Sequence, residues 1–461
     1  MDNQLVKFEI CGLHGVRDYS ISIKDNRVII VGENGSGKTT IFKIMYSTIS
    51  CDWDSLRSFE FNCVSICFSD SINVTVSKEL LDSFYDINDI DRVQNYGDSR
   101  YYGRHMRPYG LINNLIALKR AAEEKTREEL DAYLSENRPP FRYYKSALDA
   151  DSAKKLYNIT KIIEQHVDAT ILYLPTYRRI EEQLKTIFPR FDRDDIDKVR
   201  SSQRNNRAIE LVEFGMDDVE LAVRKYQERL NDFSRAQQNK LTLGYLNEII
   251  GEKYEQVDID KIRKLTETQI DDILKRIEQS ILTDEQKGQI MRILSQARDT
   301  LEPPTLVREK IICHYFLKLI DFDRKMSEEE AALIKFVDIC NKYLVSNKLV
   351  YDKQNFSCSI LNKISGNYTD SYSIHFQDLS SGEKQIVSIF SHLNLGKAKK
   401  VFVFIDEPEL SLSVDWQRMI LVDIIDSASC TGLVATTHSP FVFDNELESY
   451  VHGINEFCVR G

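Results

Sequence analysis

The chain has 461 residues, 42% of them hydrophobic and 29% charged, with a formal net charge of −11. That balance excludes a disordered polypeptide, and no uncharged apolar run approaches the roughly 18 residues of a membrane span. The acid excess argues against a surface that takes up phosphate backbone indiscriminately, although nine Lys/Arg against six Asp/Glu over 177–207 leave local nucleic-acid contact open.

The opening MDNQLVKFEI lacks a basic segment followed by an apolar one, and the nine cysteines are scattered without a CxxC pair. No secretory leader is expected, and a reducing cytoplasm is the expected setting. Leu5–Ile10 and Tyr19–Ile23 read as short strands joined by a turn around Gly12–Gly15. Arg27–Val31 (RVIIV) is a compact apolar run, the mark of a buried strand. A glycine-rich turn and a helix from Lys38 to about Tyr46 follow. Phe59–Val76 alternates apolar and polar residues, as half-covered antiparallel strands do.

From 77 to 344 the pattern is mainly helical, with a β-rich interruption, ILYLPTY, at 171–177. Amphipathic helices are predicted over Leu111–Tyr133 and Asp217–Arg235, with a further stripe from Ile259 to Ile281. Ser327-x-x-Glu330 predicts a capping box that opens a helix to Leu344. No stripe is a sustained heptad array, so no long antiparallel arm is expected. Leu349–Tyr351, Phe356–Leu361 and Ser371–Phe376 return to strand.

Gly32-Glu-Asn34-Gly35-Ser36-Gly37-Lys38-Thr39 matches GxxxxGK[ST] between a predicted strand and a predicted helix. Such a loop turns backbone N–H groups and a helix start toward phosphates. Lys38 brings a charge to the β/γ-phosphates and Thr39 a Mg²⁺-binding hydroxyl, and Thr40 is a further nucleotide-binding candidate. The apolar strand Val401–Ile405 ends in Asp406-Glu407, and buried carboxylates need a partner. Mg²⁺ on Asp406 and a water polarised by Glu407 as general base supply one. Leu379-Ser380-Ser381-Gly382-Glu383 reads either as a plain helix cap or as a phosphate-binding helix start. His438 follows the apolar strand Leu433–Thr436. Arg178 and Arg179 admit phosphate contact or ordinary ion pairs equally, and Arg17 is a further phosphate candidate.

Together these motifs resemble the ABC ATPases. There Ser380, Ser381 and Gly382 would be the signature that binds the γ-phosphate of an opposing subunit, Ser411 the D-loop, and His438 the switch histidine. The Q-loop glutamine has no clear counterpart, Gln94 being distant. The resemblance implies an α/β fold, an ABC-type head with a mixed sheet and a P-loop core, split by a large, mainly helical insertion. Its expected segments are 1–76 and 345–461 for the head, and 77–344 for the insertion with a core strand near 171–177. It further implies ATP and Mg²⁺ as ligands and a homodimer or higher homo-oligomer with ATP between heads.

Tyr173–Glu181 (YLPTYRRIE), Val212–Glu220 (VEFGMDDVE) and LSSGEKQ…FIDEPELSLSVDWQ resemble the PtuA-type ATPases of Septu and retron-associated anti-phage systems. That resemblance implies a partner HNH nuclease, PtuB. A RecF/SMC-like head acting directly on DNA and a non-hydrolysing ATP-bound scaffold are the competing readings.

Overall fold

The computed structural model describes residues 4–84, 151–175, 208–210, 216–276, 283–300, 304–364, 367–396 and 398–460. Leu111–Tyr133, Gln94, Arg178 and Arg179 lie outside these. In chain order the strands are β1 (Leu5–Leu13), β2 (Arg17–Ser22), β3 (Arg27–Val31), β4 (Cys63–Phe68), β5 (Asn73–Ser77), β6 (Thr170–Leu174), β7 (Ala208–Glu210), β8 (Asn347–Asp352), β9 (Ser357–Ile364), β10 (Asn367–Ile374), β11 (Val401–Asp406), β12 (Cys430–Thr437), β13 (Val451–Gly453) and β14 (Cys458–Arg460). The helices are α1 (Lys38–Ile49), α2 (Trp53–Arg57), α3 (Lys78–Asp82), α4 (Asp151–His166), α5 (Asp217–Ile250), α6 (Asp260–Arg263), α7 (Glu267–Lys275), α8 (Asp284–Asp299), α9 (Val307–Tyr343), α10 (Ser381–Leu395) and α11 (Val414–Ile425).

Two compact units emerge, 1–214 with 397–461, and 215–396. The expected segment 345–461 is thus divided between them at 396/397. In the first unit, β13-β3-β12-β11-β6-β7 form a six-stranded sheet in which every pairing is parallel. Its strands β3, β6 and β11 are apolar almost throughout, as strands covered on both faces must be. A separate sheet, β14-β2-β1-β4-β5, is antiparallel. The expected mixed sheet is therefore corrected: parallel and antiparallel strands occupy different sheets. The alternating strands near the N-terminus need only one covered face, whereas RVIIV and VFVFI need two.

Helix α1 buries Ile41, Phe42, Ile44 and Met45 completely. Each such side chain contributes roughly 1.5–3 kcal/mol. Phe42 meets Phe404 edge-on at 5.6 Å, and Tyr46 stacks on Tyr173 at 4.4 Å. The ILYL part of the 171–177 segment is β6, paired with β11 in the core sheet, as expected. On α4, His166 Nε2 meets Asp70 Oδ2 at 2.9 Å, and its ring stacks on Phe68.

In the second unit, α5 and α9 run antiparallel: Tyr226 donates to the Glu329 carbonyl, Tyr245 to that of Ile311, and Lys318 binds Glu248. Helices of 34 and 37 residues are roughly 50 Å long at about 1.5 Å per residue. Two expectations fail here. A long antiparallel pair is present: α5 buries an apolar stripe only from Val219 to Leu230, and past Arg235 a tyrosine–backbone bond and an ion pair continue the pairing where no heptad seam can be read. Ser327 opens no helix either, since α9 passes through it. Glu330 is fully buried, binds both terminal nitrogens of Arg276 at 2.9 Å and accepts from the Tyr351 hydroxyl. Its carboxylate is thus unavailable for a capping box. Burial, with Glu330 beside it, pushes the Tyr351 hydroxyl well above its usual range. Strands β8, β9 and β10 complete this unit as an antiparallel sheet. No described helix is long and apolar enough to cross a membrane.

Candidate functional site

Parallel pairing puts the C-terminal ends of β3, β12 and β11 on one edge, with Val31 beside Thr437 and Asp406 beside Thr436. In parallel α/β sheets ligands gather at this edge. The loop from Gly32 follows β3 and feeds α1. Gly35 and Gly37 take φ of 79° and 97°, a region that costs side-chain-bearing residues energy, and a Cβ on either would meet nothing within 4 Å. The cradle is therefore shaped by backbone conformation rather than by crowding. Gly37 caps α1 with no side-chain bond, so the helix begins with N–H groups directed at whatever lies before it.

Lys38 is 5% exposed. Its ammonium donates to the carbonyls of Gly32 (2.8 Å) and Glu33 (2.9 Å) and lies 3.5 Å from His438 Nδ1. Burial lowers its pKa, while Glu407, Asp406 and Glu409 oppose that shift. Asp406, at the end of a wholly buried strand, accepts a short bond from the Thr436 hydroxyl. Glu407 lies just past the strand with φ of 52°, its N–H bonded to the Thr436 carbonyl. Glu407 Oε1 is 3.5 Å from His438 Nε2. With an ammonium on one ring nitrogen and a carboxylate on the other, the histidine suits the tautomer that carries its proton on Nε2.

Lys38, Asp406, Glu407 and His438 are thus brought together within one unit. Asn34 is exposed in the same loop, Thr39 is exposed in the first turn of α1, and Thr40 is partly covered. Ser411, exposed with φ of 64°, lies in the turn after β11. Ser380, Ser381 and Gly382 belong to the other unit, at the start of α10. There Ser380 accepts from the Glu383 N–H, and the Glu383 carboxylate accepts from the Ser380 N–H and hydroxyl. Glu383 also accepts from Asn347 of β8, which anchors the helix start. Arg17 lies opposite Leu13 in the β1–β2 ladder, where a hydrogen bond with Tyr19 raises its pKa.

The residues suit a nucleotide with Mg²⁺. Ser36 Oγ is buried and has no hydrogen-bond partner among the described residues, a cost that a phosphate oxygen would remove. The Thr39 hydroxyl and the Asp406 carboxylate are hard oxygen donors of the kind Mg²⁺ takes together with substrate phosphates.

Sequence reasoning missed Glu409. Its carboxylate accepts from the Thr437 hydroxyl (2.8 Å), the His438 N–H (2.7 Å) and the Ser439 N–H (3.2 Å). Gln417 of α11 extends the cluster: its Nε2 donates to the Leu412 carbonyl (3.0 Å), and its Oε1 accepts from the Ser439 hydroxyl (2.7 Å). The only signal in the sequence is a third acid close behind Asp406-Glu407.

Residues 4–443 match the family described as AAA ATPase domain. No curated protein matches the chain. Among solved structures, the Smc head domain with an extended coiled coil, bound to the C-terminal domain of ScpA, from Pyrococcus furiosus is similar at 13% identity and a TM-score of 0.34. That alignment covers 98% of this chain and 93% of that one. The Smc head with a coiled coil and joint from Pyrococcus yayanosii gives 12% and 0.28, over 98% and 95%.

Proposed function

The chain belongs to the AAA ATPase domain family, and from that premise we propose that it binds and hydrolyses ATP with Mg²⁺ as a switch of the ABC/SMC type. The supporting observation is the meeting of Lys38, Asp406, Glu407 and His438 beyond one edge of the parallel sheet. In this reading the N–H groups of Gly32–Lys38 and the start of α1 bind phosphates. The Lys38 ammonium, which rests on two loop carbonyls, exchanges them for β/γ-phosphate oxygens. Thr39 and Asp406 would hold Mg²⁺, whose charge offsets that of the phosphates. Glu407 takes a proton from the attacking water, and His438, next to both Glu407 and Lys38, positions the γ-phosphate.

Ser380, Ser381, Gly382 and Ser411 are proposed to act on the nucleotide of a second copy. ATP then favours the closed pair because it makes contacts there that the open state lacks. Sedimentation of Glu407→Gln tests this: the protein should dimerise with Mg-ATP but not with ADP, and Gly382→Glu should abolish the dimer. A Glu407→Gln protein that binds ATP yet stays monomeric contradicts the shared site.

The similarity of 173–181 and 212–220 to PtuA-type ATPases extends the proposal to a switch that governs a separate HNH nuclease in anti-phage defence. Co-purification with an HNH nuclease encoded beside the gene tests it. Salt-sensitive duplex binding and DNA-stimulated ATPase activity by the chain alone would instead favour direct action on DNA.

A further inference from the structure

We infer that Glu409 is a positioning residue that fixes the switch loop carrying His438 and ties it to the Ser411 turn; this rests on the proposed ATPase reading. One carboxylate takes three donors from three consecutive residues, Thr437, His438 and Ser439, two of them backbone N–H groups on a single oxygen. The Glu409 carbonyl accepts from the Leu412 N–H, closing the turn that contains Ser411. Gln417 reaches the same turn at the Leu412 carbonyl and the switch loop at Ser439. Glu407, just before the turn, and Ser411, within it, are both left-handed, so its conformation depends on bonds of this kind.

The consequence is geometric. His438 faces Lys38 on one side and Glu407 on the other, and its backbone N–H is bound to Glu409. Among the described residues, the Glu409 carboxylate hydrogen-bonds only within that loop; its charge also reaches Lys38, but its positioning effect passes through His438, and Glu409→Gln separates the two. A displacement of the Ser411 turn, such as a second copy touching it would cause, reaches His438 through Glu409.

Glu409→Ala should lower kcat on the order of 10²-fold with little change in the ATP dissociation constant, because the phosphate loop is untouched. Glu409→Gln should recover most of that loss. Its carbonyl oxygen still serves the two N–H groups, and its amide can donate to the Thr437 hydroxyl, which accepts as readily as it donates. Amide exchange gives a nucleotide-free readout: the His438 and Ser439 N–H groups should exchange faster in Glu409→Ala and stay protected in Glu409→Gln. His438→Ala combined with Glu409→Ala should be no slower than His438→Ala alone. If Glu409→Ala does not fold, Glu409→Asp, one methylene too short, takes its place in each comparison. Unchanged kcat and unchanged exchange in the shortened variant overturn the inference, as do equal losses in the Ala and Gln variants. A wild-type chain that turns over no ATP would sink the hydrolysis reading instead, leaving amide exchange to decide on Glu409.

Discussion

Strands β11 and β12 bury every residue from Val401 to Asp406 and from Gly432 to Thr437, whereas residues 235–250 of α5 bury none. The first region is specified by apolar packing and ends abruptly in polar atoms whose partners are fixed. The second is a helix end with Leu243 72% and Ile250 82% exposed, held to α9 by Tyr245 and Glu248. Dense packing lets the sheet edge hold charged groups in place, and a sparsely packed pair tolerates change. The sheet edge is therefore the place where the proposed chemistry is assigned.

The largest stability effect should come from Phe42→Ala, which opens a cavity beneath Phe404. About 4 kcal/mol is expected, read from the denaturant midpoint; a loss below about 1 kcal/mol would mean that the core relaxes freely. Glu330→Gln attacks a fully buried charge of the helical unit. It should cost about 3 kcal/mol, because the Arg276 guanidinium loses its charged partner, tempered by Asp323 at its Nε. By contrast, Ile250→Ser should change stability by no more than about 0.5 kcal/mol, and a large loss would show that this end of α5 is covered.

The smallest effect concerns the Asp70–His166 pair. The His166 bond holds the Asp70 carboxyl below its usual value of 3.8. A depressed folded-state pKa adds stability above the unfolded pKa, and that stability is lost as pH falls through the folded one. Asp70→Asn should therefore narrow the gap in urea midpoint between neutral pH and pH below about 3.8; an unchanged gap would remove the pair from the account.

Legibility in the sequence follows the same contrast. The phosphate loop, the acidic end of β11 and the position of His438 are written in short contiguous stretches, each with local chemistry of its own. Glu409 was not legible, because its three donors lie on another strand's end and nothing in PELSLS announces them. The full length of the α5–α9 pair was missed since past Arg235 tyrosine hydroxyls on carbonyls and ion pairs carry much of the contact, and these leave no apolar period. Ser327 and Glu330 carry the letters of a cap, but Arg276 and Tyr351 claim the carboxylate. The separation of parallel from antiparallel strands depends on which faces are covered, and the RVIIV and VFVFI runs on one side and the alternating Phe59–Val76 segment on the other hinted at it.

The central claim is that Lys38, Asp406, Glu407 and His438 form a site that hydrolyses ATP. Multiple-turnover phosphate release from Mg-ATP, with wild type beside Glu407→Gln, tests it most directly. The account predicts measurable release by wild type and a drop of about 10²–10⁴-fold in Glu407→Gln, with ATP binding retained. Equal release by the two proteins, or none by a wild type that binds ATP, would contradict it.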